Sequence, residues 1–186
     1  MAQPVKIGSR LVIVTGGPGS GKSSLAAALA DAGFRTMPEA GRGIIRDQVA
    51  IGGAALPWAD QNAFADLMLS WDLRSYREAQ AAAEIGIVFF DRGIPDVIGY
   101  LQLSGLPVPP QVQRAAEMFR YNNRVFIAPP WPEIFTQDSE RKQTIEEAEA
   151  TYHAMADVYT GLGYELVTLP RLPVAERAAF VLSTCA

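Results

Sequence analysis

Gly16-Gly17-Pro18-Gly19-Ser20-Gly21-Lys22-Ser23 follows the apolar run Leu11–Thr15 and opens the Ala/Leu-rich run Lys22–Ala32. The run before it is β-branched and of strand length. The run after it stops at Gly33 and reads as a helix closed by its glycine. The stretch between fits G-x-x-x-x-G-K-[ST] without a gap, and each position has a physical reason. Glycines let the backbone turn sharply and bring several N–H groups inward against an anion. The positive end of the following helix points at the same anion. Lys22 supplies a mobile point charge for the outer phosphates, and the Ser23 hydroxyl is a ligand for magnesium. By chance such a match arises in roughly one chain of this length in a hundred or fewer. Gly16, Gly17, Pro18, Gly19, Ser20, Gly21, Lys22, Ser23 and Ser24 are therefore expected to bind ATP with Mg2+.

Outward from that loop the chain alternates short apolar runs with helical patterns. Strands are expected at Leu11–Thr15, Phe34–Met37, Ile87–Phe90, Arg124–Ala128 and Glu165–Leu169. Helices are expected at Lys22–Ala32, Gly41–Ile51, Trp58–Glu84 (one long helix or two in succession), Pro95–Leu103, Pro110–Arg120, Thr144–Leu162 and Val174–Ser183. Thr144, Glu146 and Glu147 have the pattern of a helix cap. Glu133–Gln143 is polar and unperiodic, a loop. Such alternation implies a parallel sheet with helices on both faces, a three-layer α/β/α arrangement.

The bulk properties narrow the function classes. The chain has 186 residues, 49% hydrophobic and 19% charged, with a net charge of −4. That length suits one domain, residues 1–186, with a real core. No run of Lys or Arg stands out, so nucleic acid is not an expected partner. No stretch approaches the 18 or so apolar residues of a membrane span. The sole cysteine, Cys185, can form no internal disulfide and suits a reducing cytoplasm. The sole histidine, His153, excludes a histidine-centred metal cluster or triad.

Acidic and basic residues then fall after successive strands. Asp91 closes the apolar run Ile87–Phe90, where a carboxylate can hold magnesium beside Ser23. The other reading of Asp91 is a cap for the turn at Gly93–Pro95. Glu39 follows the second strand in Pro38-Glu39-Ala40-Gly41-Arg42. Arg92 follows Asp91, and Arg141 and Lys142 lie in Asp138-Ser139-Glu140-Arg141-Lys142 after the fourth strand.

In this order and spacing the chain resembles P-loop kinases. It is similar to deoxynucleoside kinases, to the nicotinamide riboside kinase domain and to AAA-type ATPase/kinase-like proteins grouped with that domain. The resemblance covers nearly the whole chain, although only the phosphate loop is specific as a motif. It implies a P-loop NTPase fold with a five-stranded parallel sheet of order 2-3-1-4-5 and a lid at about 129–143. It also implies that Lys22, Glu39, Arg92 and Arg141 are catalytic. Glu39 would act on the acceptor hydroxyl, Arg92 would contact substrate or the transferring phosphate, and Arg141 would close over the phosphates. Glu39 can equally be a carboxylate satisfying the dipole of the next helix. Arg42 and Arg46, on one face of that helix, can hold an anionic group or be solvated. Trp58 and Trp71 read as packing residues. Trp131 is a candidate pocket wall, and Arg171 stands where such kinases pack the adenine.

The expected activity is transfer of the γ-phosphoryl group of ATP to a hydroxyl of a small, nucleoside- or nucleotide-like acceptor. The alternative is an ATPase, or an ATP-binding regulatory module without an acceptor. A guanine switch would need N-K-x-D near the fourth strand, and Tyr121-Asn122-Asn123-Arg124 does not supply it. A homodimer stays open.

Overall fold

The structure is a computed structural model that describes residues 7–83, 86–135 and 144–185. Five parallel strands form one sheet: β1 (Leu11–Gly16), β2 (Arg35–Met37), β3 (Val88–Asp91), β4 (Arg124–Ala128) and β5 (Glu165–Thr168). Their order is β2-β3-β1-β4-β5, as the resemblance implies. β1 runs beside β3 in the register Leu11 to Val88 through Val14 to Asp91, and beside β4 with Gly16 opposite Ala128.

Alternation along the strands builds two cores. On one face Leu11, Ile13, Val88, Phe90, Val125 and Ile127 pack under α2 (Ala40–Ile51), α3 (Gln61–Ala83), α4 (Ile94–Leu103), α5 (Pro110–Met118) and α6 (Ile145–Gly161). On the other Val12, Val14, Phe89 and Phe126 pack under α1 (Lys22–Asp31) and α7 (Val174–Cys185). Strands buried on both faces carry apolar residues at every position, and that is why the short runs lack alternation in the sequence.

Local chemistry sets the helix ends. Thr144 accepts the Glu147 N–H at 3.2 Å, and Glu147 accepts the Thr144 N–H at 2.7 Å, the reciprocal cap that the sequence suggested. α3 is one helix and begins at Gln61, three residues later than expected, because the Asp60 carboxylate accepts the Ala63 N–H at 2.9 Å. Trp58 therefore lies in the turn before α3. It is 66% exposed, a correction to its reading as a packing residue. Trp71 does pack, its ring standing where a side chain at Gly43 would be. No helix among the described residues is long and apolar enough to cross a membrane.

Candidate functional site

The chain passes from β1 out to β2 and β3 on one side, then to β4 and β5 on the other. The C-terminal end of β1 is thus the point where strand order reverses and a crevice opens. The loop Gly16–Ser23 lies there between β1 and α1. Four other connections end beside it, and they carry Glu39, Asp91-Arg92, Trp131 and Arg171.

The loop is closed on itself. Lys22 is buried; its Nζ donates to the Gly17 carbonyl at 2.6 Å and to Ser20 Oγ at 3.3 Å. Ser20 Oγ donates to the same carbonyl at 2.8 Å. Gly19 has φ 71°, and the Phe135 ring occupies the space a Cβ would take. Glycine at that position is required both by the left-handed backbone and by the aromatic cover. Pro18 lies in the bend of the loop, and Ser24 is exposed in the first turn of α1.

Ser23 and Asp91 meet across the crevice, Ser23 Oγ donating to Asp91 Oδ2 at 3.2 Å. Asp91 Oδ1 is buried with no hydrogen-bond partner. Burial pushes the Asp91 carboxyl upward, while Lys22 and Arg92 pull it back. A hydroxyl and a carboxylate with one unused oxygen are the hard donor set that suits magnesium, which takes few protein ligands and keeps its waters. No group of three or more His, Cys, Asp or Glu side chains among the described residues could hold a metal alone.

Beside them lies a network centred on an acid that the sequence reading missed. Asp96, 1% exposed on α4, accepts four donors: Thr15 Oγ1 at 2.6 Å, Arg92 Nη1 at 2.9 Å, the Gly93 N–H at 3.0 Å and the Tyr159 hydroxyl at 2.6 Å. Asp96 therefore caps α4, the task the sequence offered as the ordinary role for Asp91. Arg92 has φ 71°, a left-handed backbone in a residue with a Cβ. That conformation turns its guanidinium back between Asp96 and Glu39, whose Oε1 is 3.4 Å from Arg92 Nε. Burial opposes the charge on Arg92, yet Glu39, Asp96 and Asp91 outweigh it and raise its pKa.

Glu39 is the N-cap residue of α2, but its side chain makes no capping bond. It faces Arg92 and also Arg42, whose Nε is 3.6 Å from Glu39 Oε2. Arg46 is exposed. Asp72, 7% exposed on α3, is a second residue the sequence did not flag. Burial raises its carboxyl well above the ordinary range, and the charges of Asp96 and Glu39 raise it further. The only sequence signal for Asp72 was an acid on the apolar face of a long helix. A groove of about 590 Å³ runs along β2 between α2 and α3, lined by Met37, Pro38, Ile44, Trp71, Arg74 and Ser75 among others.

On the other flank, Arg171 Nη2 donates to the Pro130 carbonyl at 2.6 Å, and the Trp131 ring lies under the guanidinium of Arg177. His153 is exposed on α6. Arg141 and Lys142, with most of the expected lid, lie outside the described residues.

Known structures share this fold. A NadR protein solved in complex with NR matches with a TM-score of 0.69 at 18% identity, over 95% of this chain and 50% of that one. The chain therefore spans half the length of that protein. A thymidylate kinase from Ehrlichia chaffeensis matches with a TM-score of 0.65 at 14% identity, over 96% and 100%. A deoxyadenosine kinase from M. mycoides with bound dATP matches with 0.59 at 12%, over 94% and 98%. At these identities the likeness establishes the P-loop kinase-like fold, in agreement with the resemblance read from the sequence. No curated protein matches the sequence. Residues 11–177 match the AAA domain family, and the chain belongs to it.

Proposed function

We propose that this protein is an ATP- and magnesium-dependent phosphotransferase that moves the γ-phosphoryl group to a hydroxyl of a small, nucleoside- or nucleotide-like acceptor. The observation that carries this reading is the meeting of two half-sites at one crevice. The loop with Ser23 and Asp91 is built for a phosphate chain and its metal, and Glu39 with Arg92 faces it from the neighbouring strands.

Lys22 leaves the Gly17 carbonyl and neutralises the outer phosphates. Ser23 and Asp91 would hold magnesium, and the ion would supply charge neutralisation to the phosphates. Arg92 stabilises the charge spread over the transferring group. Glu39 takes the proton of the acceptor hydroxyl as that oxygen bonds to the γ-phosphorus and the bond to the bridging β–γ oxygen breaks, with ADP as the leaving group. A loose transition state needs that proton only late, so a carboxylate already paired with Arg92 and Arg42 is sufficient as its acceptor.

A screen of nucleosides, nucleotides, sugars and vitamins for ATP-dependent phosphorylation tests the reading. A labelled product formed by the wild type and lost in Lys22→Ala supports it. ATP consumption with no labelled acceptor favours an ATPase, and unchanged ATP affinity and turnover in Lys22→Ala would overturn the role given to the phosphate loop.

A further inference from the structure

Arg177 is a cation in a place that disfavours cations. It lies in the first turn of α7 and is 5% exposed. Its Nη1 donates to the Gly21 carbonyl at 3.1 Å, and its guanidinium carbon stands 5.3 Å from the centre of the Trp131 ring. Its Nε is buried with no partner. No carboxylate among the described residues pairs with it. Burial alone displaces its pKa, and the displacement is downward.

Two costs accumulate there. A largely buried guanidinium with an unused N–H is costly when no acid compensates it. Gly21 also begins α1, so Arg177 sits against the positive end of that helix, where a second positive charge is repelled. Gly21, with φ 76°, leaves the room: a Cβ there would stand 2.8 Å from Arg177 Nη1. One carbonyl bond and one aromatic face do not offset these terms. An anion on the phosphate loop would offset both.

Topology says which part of the anion is in reach. Glu39 and Asp91 follow β2 and β3, on one side of β1; Arg177 follows β5, on the other. A triphosphate whose last phosphorus faces Glu39 must extend its nucleoside end toward β4 and β5. We propose that Arg177 is a phosphate-binding residue of the nucleotide site, taking the phosphate next to the nucleoside after the Trp131 ring beside its guanidinium gives way. This assignment rests on the nucleotide reading above.

The test compares wild type, Arg177→Met and Arg177→Lys. Arg177→Met is expected to weaken ATP, ADP and GTP alike, by about tenfold or more, the scale of one charge-assisted hydrogen bond. Its melting temperature without ligand should hold or rise, since an uncompensated charge is gone. Arg177→Lys keeps the charge without the fork and should lose roughly two- to fivefold. ATP affinity in Arg177→Met equal to wild type overturns the assignment. So does a fall in its ligand-free melting temperature with affinity retained, which marks a structural brace. A loss for ATP but not GTP indicates a base contact and also overturns it. If Arg177→Met does not fold, Arg177→Lys decides by the same titrations, unchanged ATP and ADP affinity being the contrary result. Absence of ATP binding by the wild type would instead sink the nucleotide reading as a whole.

Discussion

Asp96 holds Arg92 through a bond of 2.9 Å from guanidinium Nη1 to carboxylate Oδ1, from a backbone that turns left-handed to allow it. The same oxygen receives the Thr15 hydroxyl at 2.6 Å, from the penultimate residue of β1 before the phosphate loop. One buried carboxylate thereby ties the strand that carries the loop to the arginine that faces it. Tyr159 ties α6 to the same group at 2.6 Å.

Asp96→Ala should be among the most damaging single changes in the chain. It leaves Arg92 without its closest partner and three further donors unsatisfied. Removal of one member of a buried ion pair costs about 3–5 kcal/mol. Chemical denaturation should show a loss of that size, and Asp96→Asn a smaller one, because the amide oxygen still accepts. A stability within about 1 kcal/mol of wild type for Asp96→Ala would contradict the network.

Arg92→Gly separates backbone strain from charge. A left-handed conformation costs a residue with a Cβ about 1–2 kcal/mol, which glycine recovers. Against that gain, Asp96 and Glu39 lose their cation, so the net effect expected is destabilising. Phosphoryl transfer should fall by roughly 10³-fold or more. Arg92→Lys, with a point charge unable to span both acids, should lie between in stability and in turnover.

Glu39→Gln tests the acceptor side alone. In the proposed division of roles Glu39 serves the acceptor and not the phosphate chain, so ATP affinity should stay within about twofold of wild type. Transfer to the acceptor should drop by about 10²-fold or more, the usual scale for a lost proton acceptor. Full turnover in this variant would return Glu39 to a purely electrostatic role at the start of α2.

Asp72 predicts a pH dependence with a definite sign. Burial holds its carboxyl well above the ordinary carboxylate range in the folded chain, reinforced by Asp96 and Glu39 and opposed by Arg92; Tyr121 lies near it. The folded state therefore keeps a proton that the unfolded state releases. The favourable contribution is complete below the unfolded value and is lost as pH rises through the folded one. Asp72→Asn should be more stable than wild type at neutral and alkaline pH, and the gap should close on acidification. Melting temperatures of both proteins between about pH 5 and pH 8 check this. A gap that widens at low pH would reverse the assignment.

Much of the fold is legible in the sequence. The β-branched runs, the Ala/Leu-rich helix after the loop and the glycine at its end are short-range signals, and each element appears within a few residues of its expected place. The start of α3 was missed because the cap at Asp60 competed with an apolar pattern that began earlier, at Trp58. The candidate site was legible only where chemistry is local. The loop Gly16–Ser23 stands out because cradling an anion takes consecutive residues, and Glu39, Asp91 and Arg92 were singled out only by their place after a strand.

The central acids were not legible. Asp96 lies 81 residues from Thr15 and 63 from Tyr159, partners that only chain folding brings within 2.6 Å. Asp72 and Arg177 look like ordinary charges on amphipathic helices, and nothing in their neighbours says that one is buried beside acids and the other against Gly21. By itself the sequence determined a phosphate loop between a buried strand and a helix, within a parallel sheet, because backbone turns and apolar runs act over a few residues. Tertiary structure alone decided which charges lie at that loop, because charge pairing in a dry crevice depends on distance in space and not on separation along the chain.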